Sequence, residues 1–351
     1  MQKKLIVLAL AGLVSGGAFA QSSMTMYGIV DLGIQSGKYS NAGNLTSMID
    51  GGSGSFSRIG FKGTEDLGTG LNANFVLESG ITPETGTQAG AQFWNRQAYV
   101  GLSGTGWGSI ALGRNYTPYF FAAAAADPFQ VGGSASAYGL FDAGFANIRM
   151  NNSIRWDSPN WNGFSVAAMY GLGQNGDAGT PAINATTKNN GQDSDFSLGY
   201  ANGPITVNYG YDNYKIPTAV AGMSPVAIKR NALDGAYDFK VVTLGMGYFT
   251  GKSDDGVTNY RTFTLSGVVP VGADSVLLEY TKLTDKTGAA GMDAKQFGIG
   301  YVHPMSKRTE LYANYGKINN DANATQTLLD GSNVAAGFSP RAIEMGMMHA
   351  F

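Results

Sequence analysis

The sequence predicts an all-β chain, a sixteen-stranded antiparallel transmembrane β-barrel, on three observations. Stretches of about ten residues alternate apolar and polar side chains from Thr25 to Phe351. The connections between these stretches alternate in length, short then long, as barrel turns and loops do. The composition joins 51 glycines and 43% hydrophobic residues to only 14% charged ones, against about 25% charged in an average soluble domain. Few charges without extra hydrophobic residues, in a chain rich in Gly, Tyr and Phe, fit many twisted strands joined by turns.

In chain order, the first element is not a strand. Lys3 and Lys4, an apolar run from Leu5 to Val14, and the small-residue ending Gly17-Ala18-Phe19-Ala20 before Gln21 form a secretory signal. The expected organisation is therefore a cleaved signal peptide, 1–20, and a single barrel domain, 21–351. Cleavage removes two of the 23 basic residues against 25 acidic ones, leaving a mildly acidic chain. Such a balance speaks against nucleic acid as a partner. No other apolar run approaches the roughly 18 residues of a membrane helix.

Strands are expected at 23–36, 55–66, 71–80, 92–103, 107–115, 150–158, 163–172, 194–201, 204–214, 229–238, 241–251, 258–269, 275–283, 294–304, 309–318 and 341–351. Their two faces differ in kind. Phe263 and Leu265 oppose Thr262, Thr264 and Ser266, and Phe297, Ile299 and Tyr301 oppose Gln296, Gly298 and Gly300. Likewise Phe196, Leu198 and Tyr200 oppose Asp195, Ser197 and Gly199, and Ile205, Val207, Tyr209 and Tyr211 oppose Thr206, Asn208 and Gly210. Period two with one polar face is the strand pattern. Short connections include Gly104-Thr105-Gly106, Asn202-Gly203, 270–274 and 305–307. Long ones run 37–54, 81–91, 116–149, 173–193, 215–228, 284–293 and 319–340, and 252–257 is a short member of the long set.

Lipid offers a backbone no hydrogen bonds, so a spanning sheet must close and leave no edge. At about sixteen strands the interior is too wide for side chains to fill, and a water-filled channel is expected. A soluble sandwich shares the period but needs a second core and a domain boundary, and no linker divides this chain. Catalysis is poorly supplied. Cys is absent, and the two histidines, His303 and His349, support neither a multi-His metal centre nor a Ser-His-Asp arrangement. No enzyme, cofactor or metal is expected. A lipid-cleaving barrel needs a nucleophile beside a lipid-facing His, and His303 next to Pro304 offers little.

The segment Ser57-Arg58-Ile59-Gly60-Phe61-Lys62-Gly63-Thr64-Glu65-Asp66-Leu67-Gly68 resembles the second-strand motif of Gram-negative general porins. Further resemblances are Met26-Tyr27-Gly28-Ile29-Val30-Asp31, Asn95-Arg96-Gln97-Ala98-Tyr99-Val100-Gly101-Leu102, Leu112-Gly113-Arg114-Asn115, Asn151-Asn152-Ser153-Ile154 and the terminal Phe351. The resemblance implies an outer-membrane homotrimer with one pore per subunit, short periplasmic turns, long external loops and a third long loop folded into the pore. It also implies passive diffusion of small hydrophilic solutes and ions. Expected partners are outer-membrane lipid and lipopolysaccharide, small anions, and the barrel-assembly machinery, which Phe351 would signal at the end of an alternating last segment. A substrate-specific outer-membrane channel is the alternative; it would show an aromatic track or charge ladder on lumen-facing positions, and none stands out.

Arg58, Gly60, Lys62 and Thr64 share a face opposite Ile59 and Phe61, and a cation facing lipid near the midplane would cost about 2–4 kcal/mol. Arg58 and Lys62 therefore point into water. The resemblance adds Arg96 and Arg149 as constriction residues, and Arg155 shares the phase of Asn151 and Ser153. For Arg96 the phase is ambiguous, because Ala98, Val100 and Leu102 share its parity. The opposing acids are Asp127 and Asp142 in the loop 116–149 and Glu78, in phase with Asn72 and Asn74. Where the family pattern has a loop Glu, this sequence reads Asp127-Pro128-Phe129-Gln130-Val131-Gly132-Gly133. Three acids facing four or five cations at a narrow passage predict a weak preference for anions. In the loop 81–91, Glu84 either latches onto Arg114 of a neighbouring subunit or is a solvated surface charge.

Overall fold

The structure, a computed structural model, describes residues 23–41, 43–141, 147–173, 190–216, 225–329, 331 and 333–351. The expected signal peptide, 1–20, and Asp142 lie outside the described residues. The strands, in chain order, are β1 Ser23–Ser40, β2 Gly43–Ile49, β3 Arg58–Gly68, β4 Leu71–Thr82, β5 Thr87–Gln88, β6 Gln97–Gly104, β7 Gly108–Tyr116, β8 Arg149–Asp157, β9 Phe164–Leu172 and β10 Gln192–Asn202. They continue as β11 Ile205–Ile216, β12 Val226–Asp238, β13 Thr243–Ser253, β14 Asn259–Val271, β15 Asp274–Asp285, β16 Ala294–Pro304, β17 Thr309–Asn320 and β18 Arg341–Ala350. Two short helices, α1 Pro118–Ala124 and α2 Tyr138–Phe141, lie between β7 and β8.

Sixteen of these strands form one closed antiparallel wall. The other two are short: β2 folds back on the upper half of β1 within the same sheet, beyond the stretch of β1 that pairs with β3, and β5 pairs only with Ile81 and Thr82 at the end of β4. Closure runs between first and last strands, from Ile29 opposite Ala350 to Lys38 opposite Arg341. The ladder therefore has no free edge, which is what a membrane requires of a sheet.

Burial is inverted relative to a soluble protein. Leu233, Met246, Phe263 and Ile343 point outward and are exposed, whereas Asp212, Thr262, Gln296 and Glu279, in the opposite phase, are buried. The outward apolar surface meets lipid and the polar phase lines the interior.

The sixteen expected strands are all present, with three differences. The fourth starts at Gln97, not at 92, because Asn95 and Arg96 are tied elsewhere: Asn95 Oδ1 accepts the Gly80 N–H and Arg96 N donates to the Glu78 carbonyl. The first strand runs on to Ser40 and carries β2, inside what was expected to be loop 37–54. The loop 116–149 contains two helices.

That loop enters the barrel. Thr117 caps α1, its hydroxyl accepting the Phe120 N–H, and Tyr119 packs on the inner wall at Gly210. The chain then crosses to the opposite wall. There Glu344 accepts the Ser134 N–H at 3.0 Å, Glu279 accepts the Ala137 N–H at 2.9 Å, and Gln296 donates to the Ser136 carbonyl at 2.8 Å. Gly316 permits this approach, since a Cβ there would lie 1.8 Å from the Ser134 oxygen. Phe141 closes the crossing by stacking on Phe249, ring centroids 4.4 Å apart. A second segment, 321–340, also turns inward where described, burying Leu328 with Tyr39, Leu140 and Ile318.

Candidate functional site

Strand phase and loop path together build a basic passage around Tyr116. This residue ends β7, and its hydroxyl accepts from Arg96 Nη2 at 2.7 Å and from Arg149 Nη2 at 2.6 Å. The Arg149 guanidinium also lies 4.3 Å from the Tyr116 ring centroid, a distance at which the ring face attracts a cation. Arg155 Nη1 donates to the Tyr116 carbonyl at 2.7 Å. Phe120 of α1 stacks on the same ring at 5.3 Å. One tyrosine thus holds three arginines that would otherwise repel one another.

Arg58, Arg96 and Arg149 line a cavity of about 950 Å3, with Arg114 as a fourth basic residue and Asp50 and Glu78 as its two carboxylates. Arg58 leads β3, its Nε donating to the Phe56 carbonyl at 2.9 Å. Arg96 is buried because it precedes β6 rather than belonging to it. The strand phase of Ala98, Val100 and Leu102 therefore does not apply to it, and its Nε reaches inward to Glu78 Oε1 at 2.7 Å. Lys62 and Arg155 line a second cavity of about 440 Å3. Lys62 Nζ sits 5.2 Å from the Tyr27 ring centroid, and Arg155 pairs with Asp157 at 2.6 Å. All five basic residues expected at the constriction thus line these two inward cavities.

The acids are arranged differently from the sequence expectation. Glu78 is inward, but Arg96 and the Tyr27 hydroxyl, at 3.0 Å, take its two oxygens. Asp127 does not face the passage. It is buried within its own loop, accepting from the Phe129 and Val131 N–H groups at 2.8 Å each and from the Ser136 hydroxyl at 2.6 Å. Burial pushes its carboxyl up to about 6. Asp127 binds the turn shut and forces Gln130 and Val131 to φ of +54° and +67°, a left-handed conformation that is an outlier for a β-branched residue. The turn delivers Gln130, exposed, into the larger cavity. An amide therefore stands at the loop tip.

Glu84 is exposed at the tip of its loop. Arg114 engages its own chain, donating to the Asn95 carbonyl at 2.8 Å and to Asn151 Oδ1 at 2.6 Å. Phe351 extends past β18 and exchanges two backbone hydrogen bonds with Gly28, at 3.0 and 3.2 Å.

Sequence reasoning missed two features. One is Tyr116, which carries no charge to draw attention. The other is an acidic cluster on the far inner wall, where Asp193, Asp195 and Asp212 bring carboxylate oxygens within 4.8 Å of one another. Arg230 pairs with Asp212 at 2.6 Å, both fully buried, while Asp195 accepts the Tyr119 N–H at 2.7 Å and Asp193 accepts from Asn147 at 2.8 Å. Acids in the inward phase of neighbouring strands were the available signal.

Comparison with known proteins bears on this geometry. A family model described as "Gram-negative porin" matches residues 6–323. The chain is 34% identical over 370 residues to outer membrane porin protein 32 of Delftia acidovorans, covering 100% of both chains. It is 31% identical over 365 residues to an outer membrane porin protein of Bordetella pertussis, covering 90% of this chain and 94% of that one. Among solved structures, an anion-selective porin from Comamonas acidovorans superposes with a TM-score of 0.81 at 29% identity, covering 94% of this chain and 100% of that one.

Proposed function

The chain belongs to the Gram-negative porin family, outer-membrane barrels with a water-filled channel, and on that premise we propose that its passage favours small anions. One observation carries the reading: the larger cavity is lined by four arginines against two carboxylates, and one of those carboxylates, Glu78, is paired internally with Arg96. Fixed cations in a narrow, partly desolvated passage raise the local concentration of anions and lower that of cations. The exposed loop-tip residue, Gln130, adds no negative charge to oppose them. The anion-selective porin from Comamonas acidovorans shares the fold over nearly all of the chain.

The same reading covers the remaining roles. The channel passes small hydrophilic solutes without a dedicated binding track. A trimer is supported by the unequal outer wall. From β9 to β16 it presents aromatics such as Tyr170, Phe196, Tyr248, Phe263 and Tyr280, whereas β18, β1, β6 and β7 present Met345, Met26, Val100 and Leu112. The aromatic sector suits lipid and the aliphatic one suits neighbouring subunits, with Glu84 placed to reach across. Residues 1–20 direct export, and Phe351 marks the chain for barrel insertion.

The reversal potential in a planar bilayer across a potassium chloride gradient tests the proposal. Its sign should be set by chloride, and replacing Arg58 and Arg149 by Ser should move it toward the potassium limit. A wild-type potential set by potassium overturns the reading, and an unmoved potential in the double variant removes these arginines from the constriction.

A further inference from the structure

The inward loop sets an apolar face inside the same cavity as the arginines. Helix α1 carries no acidic or basic residue. One side of it is buried toward the barrel wall, where Tyr119 and Ala122 meet Gly210. The other side meets water: Phe121 is 49% exposed, Ala125 just past the helix is exposed, and both line the larger cavity together with Ala124. This i, i+3, i+4 spacing makes one helical face. A helix with one wet side ordinarily turns polar residues to it, and this one turns only apolar side chains. Phe121 also stands at a junction. With Tyr116 and Gln97 it lines both inward cavities, so it lies where the two meet. Its ring centroid is 5.4 Å from that of Tyr116 and 5.2 Å from the Arg155 guanidinium. These neighbours leave about half of it bare, and a large ring exposed in a solute path marks a place where an apolar group is bound.

The arginine side of the cavity has capacity for a ligand. Arg58 donates through Nε to the Phe56 carbonyl at 2.9 Å and makes no ion pair among the described residues. Arg149 commits Nη2 to Tyr116, and its buried Nε has no acceptor among the described residues. The two carboxylates of the cavity are occupied: Glu78 is taken by Arg96 and Tyr27, and Asp50 accepts the Ser57 N–H at 2.9 Å. A guanidinium with free nitrogens takes a carboxylate through two parallel hydrogen bonds. An inorganic or polyhydroxylated anion answers the arginines and leaves the Phe121 face in water. A carboxylate carried on a flat apolar ring answers both, and pockets that join apolar walls to a few placed polar groups bind ligands of that build.

We propose that this junction is a binding site for single-ring aromatic carboxylates, the carboxylate held by the free nitrogens of the arginines and the ring lying on Phe121 and the apolar face of α1. The inference rests on the anion-favouring reading of the passage and names a solute class within it. It is one site, not a track, so hydrophilic solutes still pass. Block of the chloride current through single channels in a planar bilayer at neutral pH tests it, with potassium benzoate or potassium threonate as the added salt. Threonate matches benzoate in charge and in number of non-hydrogen atoms but has no apolar face. In the wild type benzoate should block at a roughly tenfold lower concentration than threonate. F121S should erase that difference, F121Y should keep it, and R58S should weaken block by both salts alike. Benzoate blocking no better than threonate, in a wild-type channel whose reversal potential is set by chloride, would overturn this inference alone; a potential set by potassium would overturn it together with the reading beneath it. A benzoate preference that survives in F121S, or one lost equally in F121Y, would also overturn it, and the wild-type comparison decides the matter even where a variant does not insert.

Discussion

Two charged clusters share the barrel interior and behave as opposites. Beside Tyr116, Arg58, Arg96, Arg114 and Arg149 face an open cavity with two carboxylates, Glu78 and Asp50, of which Glu78 pairs with Arg96. Around Arg230, three aspartates are buried beneath α1, whose Tyr119 N–H is bound by one of them. Each holds one ion pair between its minority charge and its majority. What separates them is cover: the inward loop lies on the acids and leaves the arginines lining an open cavity. A charge sealed under protein is neutralised locally, while a charge beside water acts on whatever passes. A chain with more acids than bases can therefore present a basic passage.

If cover is the difference, the sealed cluster should govern stability and the open one selectivity. Arg230→Met strands buried carboxylates, and breaking a buried pair costs about 3–5 kcal/mol. The thermal unfolding of the purified protein should show that loss, and a small loss would place water in the acidic cluster. Gly316→Ala drives a Cβ into the Ser134 carbonyl, an overpacking that costs about 1–3 kcal/mol. Because the clash lies beneath the loop crossing, it should also raise open-channel current noise; a quiet channel would mean that the crossing yields easily.

Tyr116→Phe removes the acceptor shared by Arg96 and Arg149, a loss of about 1–3 kcal/mol. The freed guanidiniums should weaken the anion preference, measured by reversal potential, because they are no longer held at the passage. Gln130→Glu puts a carboxylate on the exposed loop tip. It should change stability by less than about 0.5 kcal/mol, as exposed substitutions do, yet shift the reversal potential toward cations. An unshifted potential would place the tip outside the ion path.

Much of the fold was legible because the alternation that encodes it is local. Phe297, Ile299 and Tyr301 against Gln296, Gly298 and Gly300 give a strand and its two faces from adjacent residues alone. Arg58, Lys62 and Arg155 were placed inward by the same parity. Arg96 was not, since its direction depends on leaving the strand, which the Glu78 contact decides. Asp127 was misread because its carboxylate closes a turn through Ser136 nine residues on, and that turn is what sends Gln130 to the passage.

By itself, then, the sequence determined a closed wall of sixteen strands, its lipid face and its water face, because period-two patterning and turn chemistry act over a few residues. The course of the inward loop belongs to tertiary structure. It rests on pairings such as Ser134 with Glu344, 210 positions apart, which no local pattern encodes. That course decides which inward charges are sealed and which are left in water, and so gives an acidic chain a basic channel.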